Sequence, residues 1–209
     1  MTSRRDDHAR PARELSDEDL FRRYLGGDMG CFRSLVERHH DDLLRFLTRL
    51  VGDRAGAEDV FQDAFLQVHQ SAETFDTSRR FKPWLFTIAA NKGRDFLRKR
   101  GRRSTLDLSA PVQGNAEGGE TFVDLLAIDV PRPEQVVEDR ERDAQVQRAV
   151  DMLPWSLKEI LLLAYFQRLS YAQIAEDLEI PLGTVKSRLH AAVAAFARNW
   201  KSVNESQSR

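Results

Sequence analysis

The 209-residue sequence is poor in several features that whole classes of protein require. Its one cysteine, Cys31, cannot form an internal disulfide, and no Cys/His spacing is typical of a zinc site. The longest fully apolar runs, 160–166 and 191–197, are far shorter than the roughly 20 residues that a transmembrane helix needs. The charged N-terminus is not followed by an apolar segment, so no signal peptide is expected. These absences predict a cytoplasmic protein of a reducing compartment, with no membrane insertion, metal or cofactor.

The sequence also lacks a net charge, having 32 basic against 33 acidic residues. Proteins that bind nucleic acids usually carry a basic excess, so this total taken alone argues against such a function. The charge is nevertheless segregated, because residues 92–103 have a net charge of +6 and residues 53–76 a net charge of −5. The basic segment is a candidate surface for phosphates, and the alternative is a solvated helix face.

The periodicity of apolar residues predicts an all-α chain with two helical domains, because steps of three and four recur in 15–103 and 134–203 and no strand pattern occurs. Residues 104–133 are rich in proline and glycine and carry a net charge of −4, which indicates a flexible linker. We expect mobile tails at 1–14 and 204–209. When extended, the 30-residue segment 104–133 reaches about 100 Å, which is enough for the two domains to bind DNA elements one to two helical turns apart. The alternative is that the segment serves only as a flexible tether.

Several helix ends are marked by particular residues. Gly52 is expected to end the second helix, and Ser170 with Gln173 has the spacing of a capping box. Ser156 with Glu159 has the same spacing, which predicts a helix beginning after Ser156 and containing the apolar run 160–166.

The segment 169–192, with the sequence LSYAQIAEDLEIPLGTVKSRLHAA, has the pattern of a helix-turn-helix. Ala175 stands where the two helices must pack closely, Ile180 is the apolar residue of the turn, and Val185 and Leu189 lie on the inner face of the second helix. Polar residues on the outer face can hydrogen-bond base edges and phosphates in the major groove. They are Thr184, Lys186, Ser187, Arg188 and His190. The alternative is an ordinary helical hairpin with a solvated face.

Aromatic residues precede the basic segment, namely Phe75, Phe81, Trp84 and Phe86. Basic side chains neutralise phosphates and exposed rings stack on unpaired bases, so this combination suits single-stranded or melted DNA. Phe75 lies in a predicted loop beside Asp76 and Ser78, and we expect its ring to contact a base. For Trp84 and Phe86, core packing and stacking are equally open. Cys31 lies on an apolar helical face, where we expect a core residue rather than a nucleophile.

Three segments together resemble bacterial sigma factors of the extracytoplasmic-function (ECF) class. They are FKPWLFTIAANKGRDFLRKRGRR (81–103), AEDVFQDAFLQVHQ (57–70) and LSYAQIAEDLEIPLGTVKSRL (169–189). The resemblance covers region 2 at 15–103 and region 4 at 134–203. It implies a non-enzymatic transcription initiation factor that binds core RNA polymerase, at the β′ clamp helices and the β flap, and reads the minus-thirty-five and minus-ten promoter elements. It also implies melting of the minus-ten element, a linker that threads the polymerase cleft, and an anti-sigma partner.

The resemblance further implies roles for particular residues. Glu58, Asp59, Gln62, Asp63 and Gln67 would contact the clamp helices. The minus-ten element would be opened and read by Phe75, Asp76, Ser78, Trp84, Asn91, Lys92, Arg94 and Arg98, with Phe75 and Asn91 bordering a pocket for a flipped base and Lys92, Arg94 and Arg98 holding the backbone. The polar residues of the helix-turn-helix would read the minus-thirty-five element.

Two positions depart from the family pattern. Ala191 stands where relatives often have arginine, which can alter the minus-thirty-five preference. Glu179 stands where a helix-turn-helix often has glycine, and a left-handed conformation there would cost about 1–2 kcal/mol. Two other functions remain open from the residues: a dimeric helix-turn-helix repressor or activator that acts without core polymerase, and a protein that serves only in protein interactions.

Overall fold

The computed structural model describes residues 14–100, 138–167 and 170–205, and these residues form helices and no strands, which confirms the predicted all-α fold. The predicted linker, residues 1–13 of the predicted N-terminal tail and residues 206–209 of the predicted C-terminal tail lie outside the described residues. The first group of helices comprises α1 (Asp17–Leu25), α2 (Met29–Val51), α3 (Arg54–Gln70) and α4 (Phe81–Lys99), with a short 3-10 turn at Ala72–Thr74. The second group comprises α5 (Glu138–Asp151), α6 (Trp155–Gln167), α7 (Tyr171–Asp177) and α8 (Leu182–Glu205).

The ends of the helices agree with the sequence signals in two cases and differ in one. Gly52 ends α2 in the left-handed region, with φ of 90°, and the capping box of Ser170 and Gln173 is formed by both of its hydrogen bonds. The capping box predicted for Ser156 and Glu159 is wrong, because α6 begins at Trp155, two residues before the predicted first helical residue, Leu157. The carbonyl of Pro154 already accepts hydrogen bonds from the amides of Leu157 and Lys158, so Ser156 lies inside the first turn.

Helices α2, α3 and α4 pack closely because glycine stands at their contacts. A Cβ atom added at Gly56 of α3 would lie 2.7 Å from the ring of Phe96 on α4. One added at Gly93 of α4 would lie 2.9 Å from Cδ2 of Leu50 on α2. These distances are too short for any larger residue without displacement of a neighbour, so the two glycines set the separation of the helices.

Helix α6 is apolar on nearly all sides, which is typical of a helix buried on both faces. Ile160 and Ala164 pack with the residues of α7 and α8. Trp155, Leu162 and Leu163 instead belong to the same buried cluster as the core of α1–α4. The two groups of helices are therefore in direct contact through α6, a contact for which the sequence analysis contains no prediction.

Three further observations concern Cys31, membrane-spanning helices and metal sites. Cys31 is buried and donates a hydrogen bond from Sγ to Asp28, and burial raises the pKa of its thiol, as expected of a core cysteine. In the described ranges no helix combines the length and apolarity needed to cross a bilayer. The same residues contain no cluster of three His, Cys, Asp or Glu side chains placed to hold a metal ion.

Candidate nucleic-acid interface

Helix α3 has one buried and one acidic, exposed side. Its buried side carries Ala57, Val60, Ala64 and Val68, each fully buried. On the opposite side Glu58, Asp59, Gln62 and Asp63 are exposed. Leu66 is 54% exposed and lies three residues after Asp63, hence on the same side of the helix. The sequence analysis missed Leu66, although its position off the apolar stripe is a signal that could have identified it. We call the surface formed by Glu58, Asp59, Gln62, Asp63 and Leu66 the acidic face.

Gln67 lies differently from the other residues predicted to contact the polymerase. It is half-buried, and its Oε1 accepts a hydrogen bond of 2.9 Å from Nζ of Lys92 on α4. Its Nε2 donates to Oγ of Ser71 at 2.8 Å. Gln67 therefore links α3 to α4, and it holds the Lys92 ammonium group in place.

The Phe75 ring lies in the core rather than in solvent. It is 9% exposed, and it stacks on Trp84 with 4.2 Å between ring centroids and 29° between planes. Its ring centroid also lies 5.3 Å from that of Phe21, edge to face. The ring that we expect to contact a base is thus buried in this structure, and that contact stays a prediction that requires the ring to leave this stack. Phe86 is fully buried and Trp84 is half-buried, so core packing describes Phe86.

The loop that precedes α4 is held by Asp76. Its carboxylate accepts hydrogen bonds from the hydroxyl of Ser78 at 2.7 Å and from the backbone N–H of Ser78 at 2.9 Å. These two bonds hold the pKa of Asp76 below its usual range. Asp76 and Ser78 are both exposed, so the loop presents a fixed turn to solvent.

The residues of α4 predicted to contact the minus-ten DNA, Asn91 at the base pocket and Arg94 and Arg98 at the backbone, differ in what they contact. Asn91 and Arg98 are exposed, and Arg98 pairs with Asp95 of its own helix at 3.2 Å. Arg94 lies against α6, where its Nη2 is 2.7 Å from Oε1 of Glu159, and its side chain is still 41% exposed. Helix α4 is thus accessible to solvent at Asn91 and Arg98, while Arg94 forms an ion pair with Glu159 of the second group of helices.

Helices α7 and α8 form the predicted helix-turn-helix. Val185 and Leu189 are buried, as predicted for the inner face of α8. On its first turns the residues predicted to read DNA are half-buried, except for His190, which is exposed. Those half-buried residues are Thr184, Lys186, Ser187 and Arg188. The hydroxyl of Ser187 donates to the carbonyl of Thr184 at 3.1 Å, which leaves its oxygen able to accept.

The turn between α7 and α8 contains a strained residue. Glu179 has φ of 53°, which confirms the left-handed conformation considered from the sequence. Its N–H donates to the carbonyl of Glu176 at 3.3 Å, and the N–H of Ile180 donates to the carbonyl of Ala175 at 3.0 Å. These two bonds form a Schellman motif, in which the left-handed position is usually glycine. The left-handed conformation of Glu179 therefore allows the chain to turn sharply into α8.

Comparison with known proteins identifies two matching families. Residues 35–103 match the family model of sigma-70 region 2, and residues 143–196 match that of sigma-70, region 4. The ECF RNA polymerase sigma factor SigW of Bacillus subtilis is 32% identical over 177 residues, which are 85% of this chain and 92% of that protein. The ECF RNA polymerase sigma-E factor of Haemophilus influenzae is 34% identical over 182 residues, 87% of this chain and 93% of that protein.

Solved structures share the same fold. The structure of CnrH in complex with the cytosolic domain of CnrY matches with a TM-score of 0.64 and 23% identity, and covers 90% of this chain and 99% of that chain. The sigma factor RpoE of Bartonella quintana, in complex with the anti-sigma factor NepR, matches with a TM-score of 0.57 and 24% identity. That match covers 81% of this chain and 96% of RpoE.

Proposed function

The chain belongs to the extracytoplasmic-function class of RNA polymerase sigma factors, and we propose a division of labour among its surfaces on that basis. It is a promoter-specific initiation factor that binds core RNA polymerase. The observation that carries this function is the presence of matches to region 2 and region 4, in that order, in one chain. A repressor acting without polymerase would need only the helix-turn-helix, so the region 2 match counts against that alternative.

The acidic face of α3 is the proposed contact with the β′ clamp helices. Its four polar residues are exposed, and none of them is needed by the core of α1–α4. Leu66 adds a 54% exposed apolar side chain on the same side of the helix, and its burial against a partner would remove apolar surface from water. Gln67 contributes less direct contact in this proposal, because its amide is already bonded to Lys92 and Ser71.

The proposed minus-ten surface consists of the turn at Asp76 and Ser78 and the outer side of α4. Asn91 and Arg98 are exposed there, and a guanidinium binds phosphate through several donors at once. The minus-thirty-five element is the proposed ligand of α8, through Thr184, Lys186, Ser187, Arg188 and His190. Ala191 presents only a methyl group, so it adds no hydrogen bond to that set. Region 4 would also contact the β flap.

The remaining proposals concern catalysis, the cellular compartment, the linker and a protein partner. We assign the chain no catalytic role, since the polymerase supplies the chemistry of RNA synthesis, and we place it in the cytoplasm, where the polymerase acts. The predicted linker at 104–133 has the acidity suited to a cleft that otherwise holds nucleic acid. Because RpoE of Bartonella quintana was solved with the anti-sigma factor NepR, an anti-sigma partner is also proposed.

Run-off transcription with core RNA polymerase tests this function directly. The full-length chain is mixed with core polymerase and a cognate promoter, identified by selecting bound sequences from a random DNA pool with the reconstituted holoenzyme. A specific transcript that depends on the added chain is expected. No transcript, together with no retention of core polymerase by the immobilised chain, would refute the proposal.

The division of labour is tested by Asp63→Arg, which reverses the charge at the centre of the acidic face. We expect at least a tenfold loss of affinity for core polymerase, since unlike-charge contacts at an interface become repulsive. Asp41→Arg is the matched control, because Asp41 is exposed on α2 and carries the same charge change. Equal loss of polymerase binding in both variants, or loss of DNA binding by Asp63→Arg alone, would contradict the assignment of α3.

A further inference from the structure

Lys92 differs from three arginines that follow it in the kind of partner that it has. Arg94, Arg98 and Arg100 each pair with a carboxylate, at 2.7, 3.2 and 2.7 Å respectively. The ammonium group of Lys92 instead donates a hydrogen bond of 2.9 Å to Oε1 of Gln67. Because a side-chain amide carries no charge, this bond holds Lys92 without neutralising it. The full positive charge of Lys92 is therefore available to a phosphate.

The amide of Gln67 has a fixed orientation. Its Oε1 accepts from Lys92, and its Nε2 donates to Oγ of Ser71 at 2.8 Å. Rotation of the amide by half a turn would place its NH₂ group against the ammonium group, where two donors would face each other. An ammonium group has three N–H donors, of which Gln67 accepts one, so two remain for the oxygens of a phosphate.

The same hydrogen bonds continue to the loop that precedes α4. Ser71 is the residue that ends α3, and its carbonyl accepts hydrogen bonds from the hydroxyl of Thr74 at 2.8 Å and from the N–H of Thr74 at 3.1 Å. Thr74 lies two residues before Asp76, whose turn belongs to the proposed minus-ten surface. Hydrogen bonds therefore connect Lys92 with this loop through Gln67 and Ser71.

We propose that Gln67 is a positioning residue of the minus-ten surface, which holds the Lys92 ammonium group and the loop before α4 in the arrangement that binds DNA. The proposal rests on the function assigned to α4, and it replaces the polymerase contact that the family resemblance implies for Gln67. A lysine side chain has many rotamers, and their loss on binding costs free energy. A hydrogen bond that restricts Lys92 before DNA arrives removes part of that cost.

The test measures polymerase binding and promoter binding separately, with the full-length chain and the reconstituted holoenzyme. The probe is the promoter duplex selected from the random pool, labelled with fluorescein and followed by anisotropy. Gln67→Met removes both hydrogen bonds and keeps the length of the side chain. We expect promoter affinity to fall roughly two- to tenfold, the range for immobilising one flexible side chain, with unchanged affinity for core polymerase. Gln70→Met is the matched control with unchanged promoter affinity, because Gln70 is exposed on the same helix.

A double-mutant cycle separates positioning from a general effect on folding. Lys92→Met should lower promoter affinity and should reduce the slope of log affinity against log salt concentration by about one. When Gln67→Met is added to Lys92→Met, we expect no further loss, because the group that Gln67 positions is gone. An equal loss from Gln67→Met with and without Lys92→Met would show an effect on folding alone and would overturn the proposal.

Ser71→Ala takes the place of Gln67→Met in the cycle if that variant does not fold. It removes the acceptor that orients the amide but leaves the bond to Lys92, so we expect a smaller loss of promoter affinity; wild-type affinity would then overturn the proposal. Weaker binding of core polymerase by Gln67→Met, with promoter affinity unchanged, would assign Gln67 to the polymerase interface and would also overturn it. Failure of the unaltered chain to bind core polymerase would refute the proposed function itself, which distinguishes that result from a failure confined to the variants.

Discussion

The left-handed conformation of Glu179 predicts that Glu179→Gly stabilises the helix-turn-helix. For a residue with a Cβ atom this conformation costs about 1–2 kcal/mol, and Glu179 has φ of 53°. Glycine removes that cost but loses more backbone freedom on folding, about 0.5–1 kcal/mol relative to alanine. The two effects leave a net gain in the free energy of unfolding of about 0.5–1 kcal/mol.

The two hydrogen bonds of the Schellman motif explain why Glu179 does not move to an unstrained, negative φ in the wild-type protein. If Glu179 moved to negative φ, the N–H of Ile180 would lose the carbonyl of Ala175, now at 3.0 Å. Ile180 would also leave the apolar cluster that α7 and α8 share. Each of these losses is comparable with the strain, so the conformation persists and the strain is released only by removing the Cβ atom.

The measurement is thermal unfolding of the full-length chain by calorimetry, supported by hydrogen exchange at the Ile180 amide. For a chain of this size the gain corresponds to a rise in Tm of about 1–4 °C. Glu179→Ala is the control, since it removes the carboxylate but keeps the Cβ atom, and its stability should stay within about 0.5 kcal/mol of wild type. A glycine variant no more stable than the alanine variant would refute the strain argument, and faster exchange at Ile180 in the glycine variant would do so as well.

Three further predictions concern the first group of helices. Gly56→Ala should lower the free energy of unfolding by about 1–3 kcal/mol, measured by urea denaturation. Alanine favours helix, but its methyl group would lie 2.7 Å from the Phe96 ring. An unchanged or higher urea midpoint would mean that the ring moves freely. Burial raises the pKa of Asp17, but hydrogen bonds from His39 and Arg38 lower it more, so this group stabilises the fold above the unfolded pKa and loses that contribution as the pH falls. Asp17→Asn should therefore be destabilising at pH 7, and the difference from wild type should begin to decline below about pH 4 and vanish only once the pH falls below the lowered pKa of the folded state. A difference that stays constant in acid-titrated melts would contradict this. Phe75→Ala should cost about 3–5 kcal/mol of stability in thermal or urea unfolding, whereas a cost under about 0.5 kcal/mol, typical of surface positions, would show that the ring is not a core residue.

The sequence predicted local structure well where the signal lies within one helix. The apolar stripe of α3 and the Ser170 capping box depend on residues three or four positions apart, and both are present. Prediction failed where a side chain had two possible partners. Glu159 has the spacing of a capping residue, but its carboxylate bonds to Arg94, 65 positions away in the chain. That choice depends on tertiary packing that no local pattern contains.

The candidate site shows the same limit. Loop position suggested that the Phe75 ring contacts a base, yet Trp84 provides a stacking partner and the ring lies in the core. The inner face of α8 was predicted correctly because helical periodicity alone determines it, through Val185 and Leu189. The contact between the two groups of helices was not predicted, because the intervening segment of the sequence carries no information on how the groups meet.

The sharing of α6 between two apolar clusters has a consequence for the order in which the chain folds during synthesis. Helices α1–α4 are complete at Lys99, whereas Trp155 begins α6 more than 50 residues later. At translation rates of about 5–20 residues per second, the first group waits roughly 3–11 s for the helix that covers part of its apolar surface. During that interval the surface that later receives Trp155, Leu162 and Leu163 is open to water and to other chains. Between these two points of its own synthesis, the completed first group of helices therefore exposes an apolar surface that can take part in aggregation.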